Sequence, residues 1–406
     1  MPMRILINSI NYSPELTGIG KYTGEMAEWL AEQGYDVRVV TAPPYYPAWR
    51  VAEGYSAGWY GREIVAGVTV FRCPLWVPKK PTGVTRILHL ASFALSSFPL
   101  MLWSGLFWRP NIVFVIEPPL FCAPAAWMSA RVGGARAWLH VQDFEVDAAF
   151  ELGILRARAL RSVVLAVEKW LLRRFDTVSS ISLRMVERLA NKGVESSRRM
   201  LFPNWVDTSA IYPLESVEGF RRELGVPEGV KILLYSGNMG EKQGLEILIE
   251  TANMLSERKD ILFILCGEGA SRQRLMEMSE GLENIKFIPL QPIDRLNELL
   301  NLADIHLLPQ RADAEDLVMP SKLTAILASG RPVIATVCDG SQIANVVRDC
   351  GIVVSPGDAA GVRDAIAALA GDSGRRLSLG KAGRDFAVRN WKKDDVLRHA
   401  FHVNCM

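Results

Sequence analysis

Short apolar runs alternate with helical stretches along most of this chain, and this alternation is the feature that most constrains its fold. A first series of runs comprises residues 4–10, 37–41, 68–71, 112–116, 137–141 and 178–180. A second series comprises residues 231–235, 261–266, 285–288, 305–308, 333–335 and 352–354. Strand-like runs separated by helices are typical of parallel sheets with helical crossovers. The sequence therefore predicts an α/β protein with two doubly wound parallel sheets.

The stretch 201–207, LFPNWVD, is the expected joint between two domains, because Pro203 and Asn204 interrupt the pattern before irregular sequence. A chain of 406 residues also exceeds what one hydrophobic core usually serves. We place a first domain at 1–203 and a second from residue 204. Ligands of open α/β sheets bind at the carboxyl ends of strands, so two facing domains would enclose a binding cleft.

The charge and cysteine content exclude some classes of protein. Lys and Arg number 46 against 44 Asp and Glu, a net charge of +2, so no overall basic field favours nucleic acid as a partner. The six cysteines are scattered, with no CxxC pair, and a metal signature is likewise missing from the sequence. This pattern favours a reducing, cytoplasmic location. The first apolar run is too short for a signal peptide, and we interpret it as a strand.

The segment 87–108 is long and apolar enough to span a bilayer, and three interpretations are open. A membrane span conflicts with its place between two strands expected in one sheet. A second interpretation is a pair of core helices broken near Pro99. The third is a helix at the membrane surface, flanked by Lys79, Lys80, Arg86 and Arg109. Such a helix would place a cytoplasmic, peripheral enzyme at the inner membrane beside a lipid-linked substrate.

In the first half, two stretches follow predicted strands and carry candidate site residues. Gly18 and Gly20 open a helix, where backbone amides can approach a diphosphate. The glycine spacing, and the absence of an acidic residue after the second strand, disfavour a dinucleotide site. His140 and Asp143, in LHVQDFEVD, lie at a strand end and are candidate catalytic residues. The alternatives are a structural glycine loop and a buried, hydrogen-bonded histidine.

In the second half, YSGNMGEKQGLE and LCGEGAS each join a strand to a helix. Gly237, Asn238 and Lys242 lie in the first of these loops, and Lys242 is placed to neutralise a diphosphate leaving group. Gly267 and Gly269 lie in the second and would leave room for a nucleotide. Each residue also has a plainer interpretation, as turn chemistry or as a solvated lysine.

Residues 319–336, MPSKLTAILASGRPVIAT, predict a helix that ends at Gly330 and is followed by a buried strand. Ser321 and Lys322 lie in its first turn, where helix amides can hold phosphate. The preceding loop carries Asp313, Glu315 and Asp316, whose carboxylates can bind sugar hydroxyls. This corner is a predicted ligand site, although Lys322 has a plain alternative as an exposed lysine.

Taken together, NYSPELTGIGKYTGEMAEWLAEQGYDVRVVTAPPYYP, HVQDFEVDA, FPNW, YSGNMGEKQGLE and MPSKLTAILASGRPVIA resemble family 4 glycosyltransferases of the GT-B fold over nearly the whole chain. The resemblance implies two Rossmann-like domains, an acceptor-binding one at 1–203 and a nucleotide-sugar-binding one at 204–388. It further implies that residues 389–406 return to the first domain. Catalysis in this family retains anomeric configuration and needs neither a covalent nucleophile nor an obligatory metal or cofactor.

The resemblance also assigns roles to particular residues. Gly18 and Gly20 match the glycine loop near the diphosphate, and His140 and Asp143 match the catalytic edge of the first domain. Lys242 matches the basic residue that holds the diphosphate. Asn238 stands where an arginine is frequent, and Ala325 stands where the second of two acidic residues is usual, which leaves Asp316 as the first. The candidate donor-binding set is Gly18, Gly20, Gly237, Asn238, Lys242, Gly267, Gly269, Asp316, Ser321 and Lys322.

The implied function is sugar transfer from a nucleoside-diphosphate sugar, GDP-fucose or a UDP-sugar, to a lipid-linked saccharide during exopolysaccharide assembly. Two alternatives remain open. One is a nucleotide-sugar 2-epimerase, which needs the same paired domains and a diphosphate site. The other is a nucleotide-sugar-binding protein without activity, which Ala325 would favour.

Overall fold

The computed structural model of the protein describes residues 2–15, 18–79, 82–151, 158–311 and 321–405. The chain divides into two compact units between Pro203 and Asn204. The first unit comprises residues 1–203 and 403–406, and the second comprises residues 204–402. Each is an α/β unit with a largely parallel sheet, as the alternation of apolar runs predicts.

The first unit is built on an eight-stranded sheet. Its strands are β1 (Arg4–Asn8), β2 (Asp36–Thr41), β3 (Gly61–Val65), β4 (Val68–Arg72), β5 (Ile112–Glu117), β6 (Arg136–Val141), β7 (Thr177–Ser180) and β8 (Arg199–Leu201). Its helices are α1 (Gly18–Glu32), α2 (Gly83–Trp103), α3 (Ala123–Gly133), α4 (Glu145–Glu151), α5 (Arg158–Leu172) and α6 (Leu183–Asn191). The strand order is β3-β4-β2-β1-β5-β6-β7-β8, and only β3 pairs in an antiparallel manner, with β4.

The second unit has a six-stranded parallel sheet in the order β11-β10-β9-β12-β13-β14. Its strands are β9 (Lys231–Ser236), β10 (Ile261–Cys266), β11 (Ile285–Ile288), β12 (Ile305–Pro309), β13 (Val333–Thr336) and β14 (Gly351–Val354). Its helices are α7 (Glu218–Glu223), α8 (Glu246–Met254), α9 (Arg272–Met278), α10 (Leu296–Leu302), α11 (Ser321–Ala328), α12 (Gln342–Val347), α13 (Ala359–Ala370), α14 (Ser373–Trp391) and most of α15 (Lys393–Cys405), whose last residues group with the first unit.

All the predicted strands form, because most of them are apolar runs whose side chains are buried on both faces of the sheet; β11 and β14, at the two edges of the second sheet, are only partly buried. Strand order reverses at β1 in the first unit, which lies between β2 and β5, and at β9 in the second, which lies between β10 and β12. Such reversal points open a crevice at the carboxyl ends of the strands. They locate the candidate site of each unit.

The segment 87–108 does not form the pair of helices broken near Pro99 that was one of its three interpretations. Helix α2 runs through Pro99 to Trp103 and continues as a short π-helix, Ser104–Trp108. Pro99 removes one backbone donor, while just before it the hydroxyls of Ser96 and Ser97 donate to carbonyls one turn back. In the described residues, the 26-residue stretch Gly83–Trp108 is the one helix that passes a length and hydropathy test for a membrane span, and 39% of the tested window is buried.

A single crossing of a membrane by this segment is incompatible with the sheet. Strand β4 precedes it and β5 follows it, and both belong to the same eight-stranded sheet. The two strands would lie on opposite sides of a bilayer if the segment crossed it once.

At the end of the chain, residues 389–402 group with the second unit and residues 403–406 with the first. Backbone bonds explain this grouping. The amide of Val206 donates to the Trp391 carbonyl at 2.8 Å, and the amide of Lys393 donates to the Val206 carbonyl at 3.0 Å. The Lys393 ammonium also pairs with Asp207 at 3.1 Å, and the Trp391 ring packs edge-on against Phe386.

Candidate active site

In the second unit, the loops after β9 and β10 lie against each other at the carboxyl edge of the sheet. The amide of Gly237 donates to the Cys266 carbonyl at 2.9 Å, and the amide of Met239 donates to the Glu268 carbonyl at 2.8 Å. A Cβ atom at Gly267 would overlap the carbonyl oxygen of Gly237, and one at Gly269 would overlap that of Met239. The two glycines therefore permit a contact between loop backbones that no other residue allows.

Lys322, in the first turn of α11, reaches the end of β9. Its ammonium donates to the Tyr235 hydroxyl at 2.7 Å and lies 4.4 Å from the centre of that ring. The hydroxyl in turn donates to the Asn238 carbonyl at 2.5 Å. A Cβ atom at Gly237 would overlap the lysine side chain, so the glycine admits it. The structure thus brings Gly237, Asn238 and Lys322 together, and their role in donor binding stays a prediction.

Burial lowers the pKa of Lys322 to about 8, because desolvation disfavours the charged ammonium. An anion placed beside it would restore the charged form by direct attraction. The ammonium lies at the carboxyl end of β9, and phosphates bind at such strand ends in open α/β sheets. This arrangement makes Lys322 the best-defined cationic group of the candidate site.

Two residues at this corner escaped sequence reasoning. Tyr235 reads as an ordinary strand residue, and its contact with Lys322 joins positions 87 residues apart. Arg311 follows β12, and a Cβ atom at Gly244 would lie 2.8 Å from its Cγ. Arg311 is thus a cation beside the turn that carries Lys242. The signal available in the sequence for Arg311 was its position as a basic residue shortly after the end of a strand.

Several predicted site residues lie outside what the structure describes. Asp313, Glu315 and Asp316 fall in the segment 312–320, outside the described residues. Lys242 belongs to the 3₁₀ turn Glu241–Gln243 and Ser321 begins α11, but their side chains lie outside the described part of the structure. Their roles remain predictions.

In the first unit, Gly18 and Gly20 begin α1, as predicted, and a side chain that the sequence did not single out lies against them. The carboxylate of Glu15 accepts from the amides of Tyr45 and Tyr46, both at 2.9 Å. A Cβ atom at Gly20 would lie 2.8 Å from Cβ of Glu15 and 2.9 Å from one of its carboxylate oxygens. Gly20 therefore leaves room for the Glu15 side chain. Gly18 has open space around it, but its φ of +59° lies in the left-handed region that favours glycine.

His140 is buried on β6, with only 3% of its surface exposed. Its Nδ1 lies 2.9 Å from the Ser179 hydroxyl and its Nε2 lies 3.0 Å from the side-chain amide nitrogen of Gln142. Burial lowers its pKa to about 3, so the ring is neutral near pH 7. This geometry is that of the alternative which the sequence left open for His140, a buried histidine whose two ring nitrogens both have hydrogen-bond partners. It positions Gln142 at the end of the strand.

Asp143 is exposed directly after this strand end, and a buried carboxyl lies on the neighbouring strand. Glu117 ends β5 with 1% exposure, and in the described part of the chain neither of its carboxyl oxygens has a hydrogen-bond partner. Burial, together with the nearby carboxyls of Glu145 and Glu168, raises the pKa of Glu117 well above its ordinary value. The protonated form is thus favoured in the folded protein.

We expect Glu117→Gln to raise the free energy of unfolding above pH 7 by about 1 kcal/mol or more. When folding raises the pKa of a carboxyl, that group contributes fully to stability at pH values below its pKa in the unfolded chain. The contribution is lost as pH rises through its pKa in the folded protein. The variant removes this loss. Urea titrations at several pH values measure it, and Glu283→Gln, at an exposed carboxyl, is the control. An equal pH dependence in Glu117→Gln and wild type would contradict the assignment.

The described residues offer no metal site. No group of three or more His, Cys, Asp or Glu side chains among them is arranged to hold a metal ion. In the described part of the chain, the cysteines at positions 73, 122, 266, 338 and 350 form no disulfide, and of these five only Cys338 is exposed.

Comparison with known families covers both units. Residues 17–205 match the glycosyl transferase 4-like domain, and residues 230–372 match the glycosyl transferases group 1 domain. The chain is 44% identical over 410 residues to an Escherichia coli protein described as a putative colanic acid biosynthesis glycosyl transferase, WcaI, covering 98% of each chain. It is 26% identical to a D-inositol 3-phosphate glycosyltransferase of Acidothermus cellulolyticus, over 96% of this chain and 87% of the relative.

Solved structures share the fold over the whole chain. Sucrose-phosphate synthase of Thermosynechococcus elongatus superposes with a TM-score of 0.73 at 18% identity, covering 99% of this chain and 98% of the other. The Anabaena protein HepE in complex with UDP-glucose superposes with a TM-score of 0.69 at 14% identity, covering all of both chains. The family matches and the whole-chain relative show that this chain belongs to the family 4 glycosyltransferases and is a glycosyltransferase of the GT-B fold.

Proposed function

We propose that this enzyme transfers a sugar from a nucleoside-diphosphate sugar to a lipid-linked saccharide during synthesis of an exopolysaccharide of the colanic acid type. The whole-chain similarity to WcaI supports the pathway, and the UDP-glucose complex of HepE supports a nucleotide sugar as donor. The observation that carries the proposal is the Lys322 ammonium at the glycine-lined ends of β9 and β10.

The second unit binds the donor in this proposal. The nucleoside diphosphate lies at the loops that contain Gly237, Gly267 and Gly269, where backbone amides donate hydrogen bonds to phosphate oxygens. Lys322 and Lys242 stabilise the charge that develops on the diphosphate as its bond to the sugar breaks. Asp316, or Asp313 or Glu315 nearby, binds hydroxyl groups of the donor.

The first unit binds the acceptor. Asp143 lies at the exposed strand end and orients the acceptor hydroxyl. The hydroxyl oxygen bonds to the anomeric carbon as the bond to the diphosphate breaks, and its proton passes to the departing phosphate oxygen. His140 is a positioning residue that acts through Gln142. We propose that configuration is retained and that no metal is obligatory, because lysine side chains and helix amides supply the positive charge. The acceptor places the enzyme at the inner face of the cytoplasmic membrane.

A panel of nucleotide sugars tests donor binding. A ligand that binds only the folded protein raises its melting temperature by mass action. We expect one donor, GDP-fucose first and UDP-sugars next, to raise the melting temperature more than its free sugar does. No shift with any GDP- or UDP-sugar would contradict the proposed donor site.

Donor affinity should also depend on pH through Lys322. Its pKa of about 8 in the free protein means that it is charged below pH 8 and loses its proton above it. We therefore expect affinity for the nucleoside diphosphate to be nearly constant below pH 7, to fall about twofold by pH 8, and to fall by up to about tenfold per pH unit above it. Calorimetric titrations measure it, and Lys322→Met should abolish this fall. A fall of equal size in Lys322→Met would contradict the assignment.

A further inference from the structure

Three neighbouring helical segments of the first unit expose large apolar side chains to solvent. Phe107 is 72% exposed in the π-helix after α2, and its ring centroid lies 6.0 Å from that of Trp103. Helix α5 exposes Val163, Val167 and Trp170 along one side. We call this surface the apolar face, and its exposed members are Trp103, Leu106, Phe107, Met128, Val132, Val163, Val167 and Trp170.

Close packing joins the segments that carry the apolar face. A Cβ atom at Gly105 would meet Ser129 of α3, and one at Gly133 would lie 2.8 Å from the Gly105 carbonyl oxygen, so the π-helix and α3 approach at their backbones. Helix α5 joins them through Trp170, whose ring centroid lies 6.5 Å from that of Trp127. A patch of this kind on a protein surface marks an interaction site.

The charges at this face are mainly positive. Arg174 stacks on Trp170, with its guanidinium carbon 4.6 Å from the ring centroid, and Lys169 and Arg173 are exposed beside it. The carboxylate of Glu168, on the same helix, is buried and paired with Lys192 at 2.6 Å, so it adds no exposed negative charge. The exposed cations at or beside the face are Arg109, Arg131, Lys169, Arg173 and Arg174, with Asp176 pairing to Arg131.

We propose that the apolar face docks on an anionic phospholipid bilayer, with its aromatic side chains at the level of the headgroups and its cations against lipid phosphates. Exposed Trp and Phe surrounded by Lys and Arg are the chemistry that binds in the plane of an anionic interface. This inference rests on the proposed function, since a lipid-linked acceptor brings the enzyme to a membrane. It identifies the surface that faces the lipid and the sign of the lipid charge that this surface requires.

Vesicle flotation of the full chain tests the apolar contribution. We expect wild type to float with phosphatidylcholine vesicles that contain phosphatidylglycerol, and Phe107→Asp and Val167→Asp to reduce the bound fraction at least about tenfold. Both side chains are exposed, so the variants should fold, which circular dichroism checks. Leu377→Asp is the matched control, because Leu377 is 70% exposed on α14 of the second unit. Equal flotation of Phe107→Asp and Leu377→Asp would overturn the proposal.

The charge requirement has its own test. Wild type should float much less with pure phosphatidylcholine vesicles, and Lys169→Glu should lose binding to the anionic vesicles. Lys381→Glu, at an exposed lysine of α14, should bind as wild type does. Equal binding to both vesicle types would overturn the claim of an anionic surface.

Two further measurements separate this proposal from its alternatives. A wild-type dimer that Phe107→Asp converts to a monomer would overturn it, because the face would then be a contact between copies of the chain. Sugar transfer to a short-chain, water-soluble acceptor tests the function independently of vesicles. Transfer without flotation in wild type would refute the docking surface alone, whereas flotation without transfer to any acceptor would refute the function alone.

Discussion

Lys322→Met is expected to weaken binding of the nucleoside-diphosphate donor by about 10- to 100-fold, because a hydrogen bond to a charged group contributes about 1.5–3 kcal/mol. The fold should not suffer. Methionine has a similar length, and among the described residues the lysine hydrogen-bonds only to the neutral Tyr235 hydroxyl, with no carboxylate in the described network. Stability should therefore be unchanged or slightly raised.

Calorimetry with GDP and UDP, together with steady-state transfer rates, measures this effect. Lys259→Met is the control, since Lys259 pairs with Glu283 on the surface of the second unit and should leave binding unchanged. A loss of stability without a loss of affinity in Lys322→Met would mean that Lys322 supports the fold rather than the donor. Affinity like that of wild type would remove Lys322 from the site.

Gly267→Ala is expected to have the largest effect on both stability and donor binding. The added methyl group would overlap the carbonyl oxygen of Gly237, a backbone atom that cannot turn away as a side chain does. Over-packing of this kind costs about 1–3 kcal/mol, and the backbone at φ +155° adds strain for any residue but glycine. The loop after β9 would have to move, and the approach of Lys322 to it would change.

A second glycine separates strain from overlap. Gly281 has φ +84°, but a methyl group added there would meet no atom within 4 Å, so Gly281→Ala should cost only about 1 kcal/mol and leave donor binding intact. Chemical denaturation and donor titration of both variants decide the matter. Equal losses of stability would show that backbone strain alone acts at position 267, and unchanged donor affinity in Gly267→Ala would place the donor elsewhere.

The sequence was sufficient for those parts of the fold that rest on local pattern. Buried parallel strands are continuous apolar runs, so their positions can be predicted from the sequence alone. Strand β3 was missed because it is an edge strand with mostly exposed side chains, and β8 because it has only three residues. Helix α2 continues through Pro99 and packs against α3, a contact between separate elements that no local signal conveys.

The candidate site was predictable only where its residues lie at strand ends or at a helix start. Gly237 and Gly267 were found from the ends of strands, and Lys322 from the first turn of a predicted helix. That these residues lie close together depends on contacts between distant parts of the chain, such as that of Lys322 with Tyr235. His140 shows the reverse case, since its position at a strand end suggested catalysis, whereas burial and two hydrogen-bond partners give it a positioning role.

Release of the nucleoside diphosphate from a nucleotide sugar, measured with and without a lipid-linked saccharide acceptor, tests the central claim most directly. Sugar transfer requires that release depend on the acceptor, and Lys322→Met and Asp316→Ala should depress it severely. We predict release with one donor and only when acceptor is present. Conversion of the donor to its 2-epimer without acceptor, or donor binding with no release on any acceptor, would contradict sugar transfer.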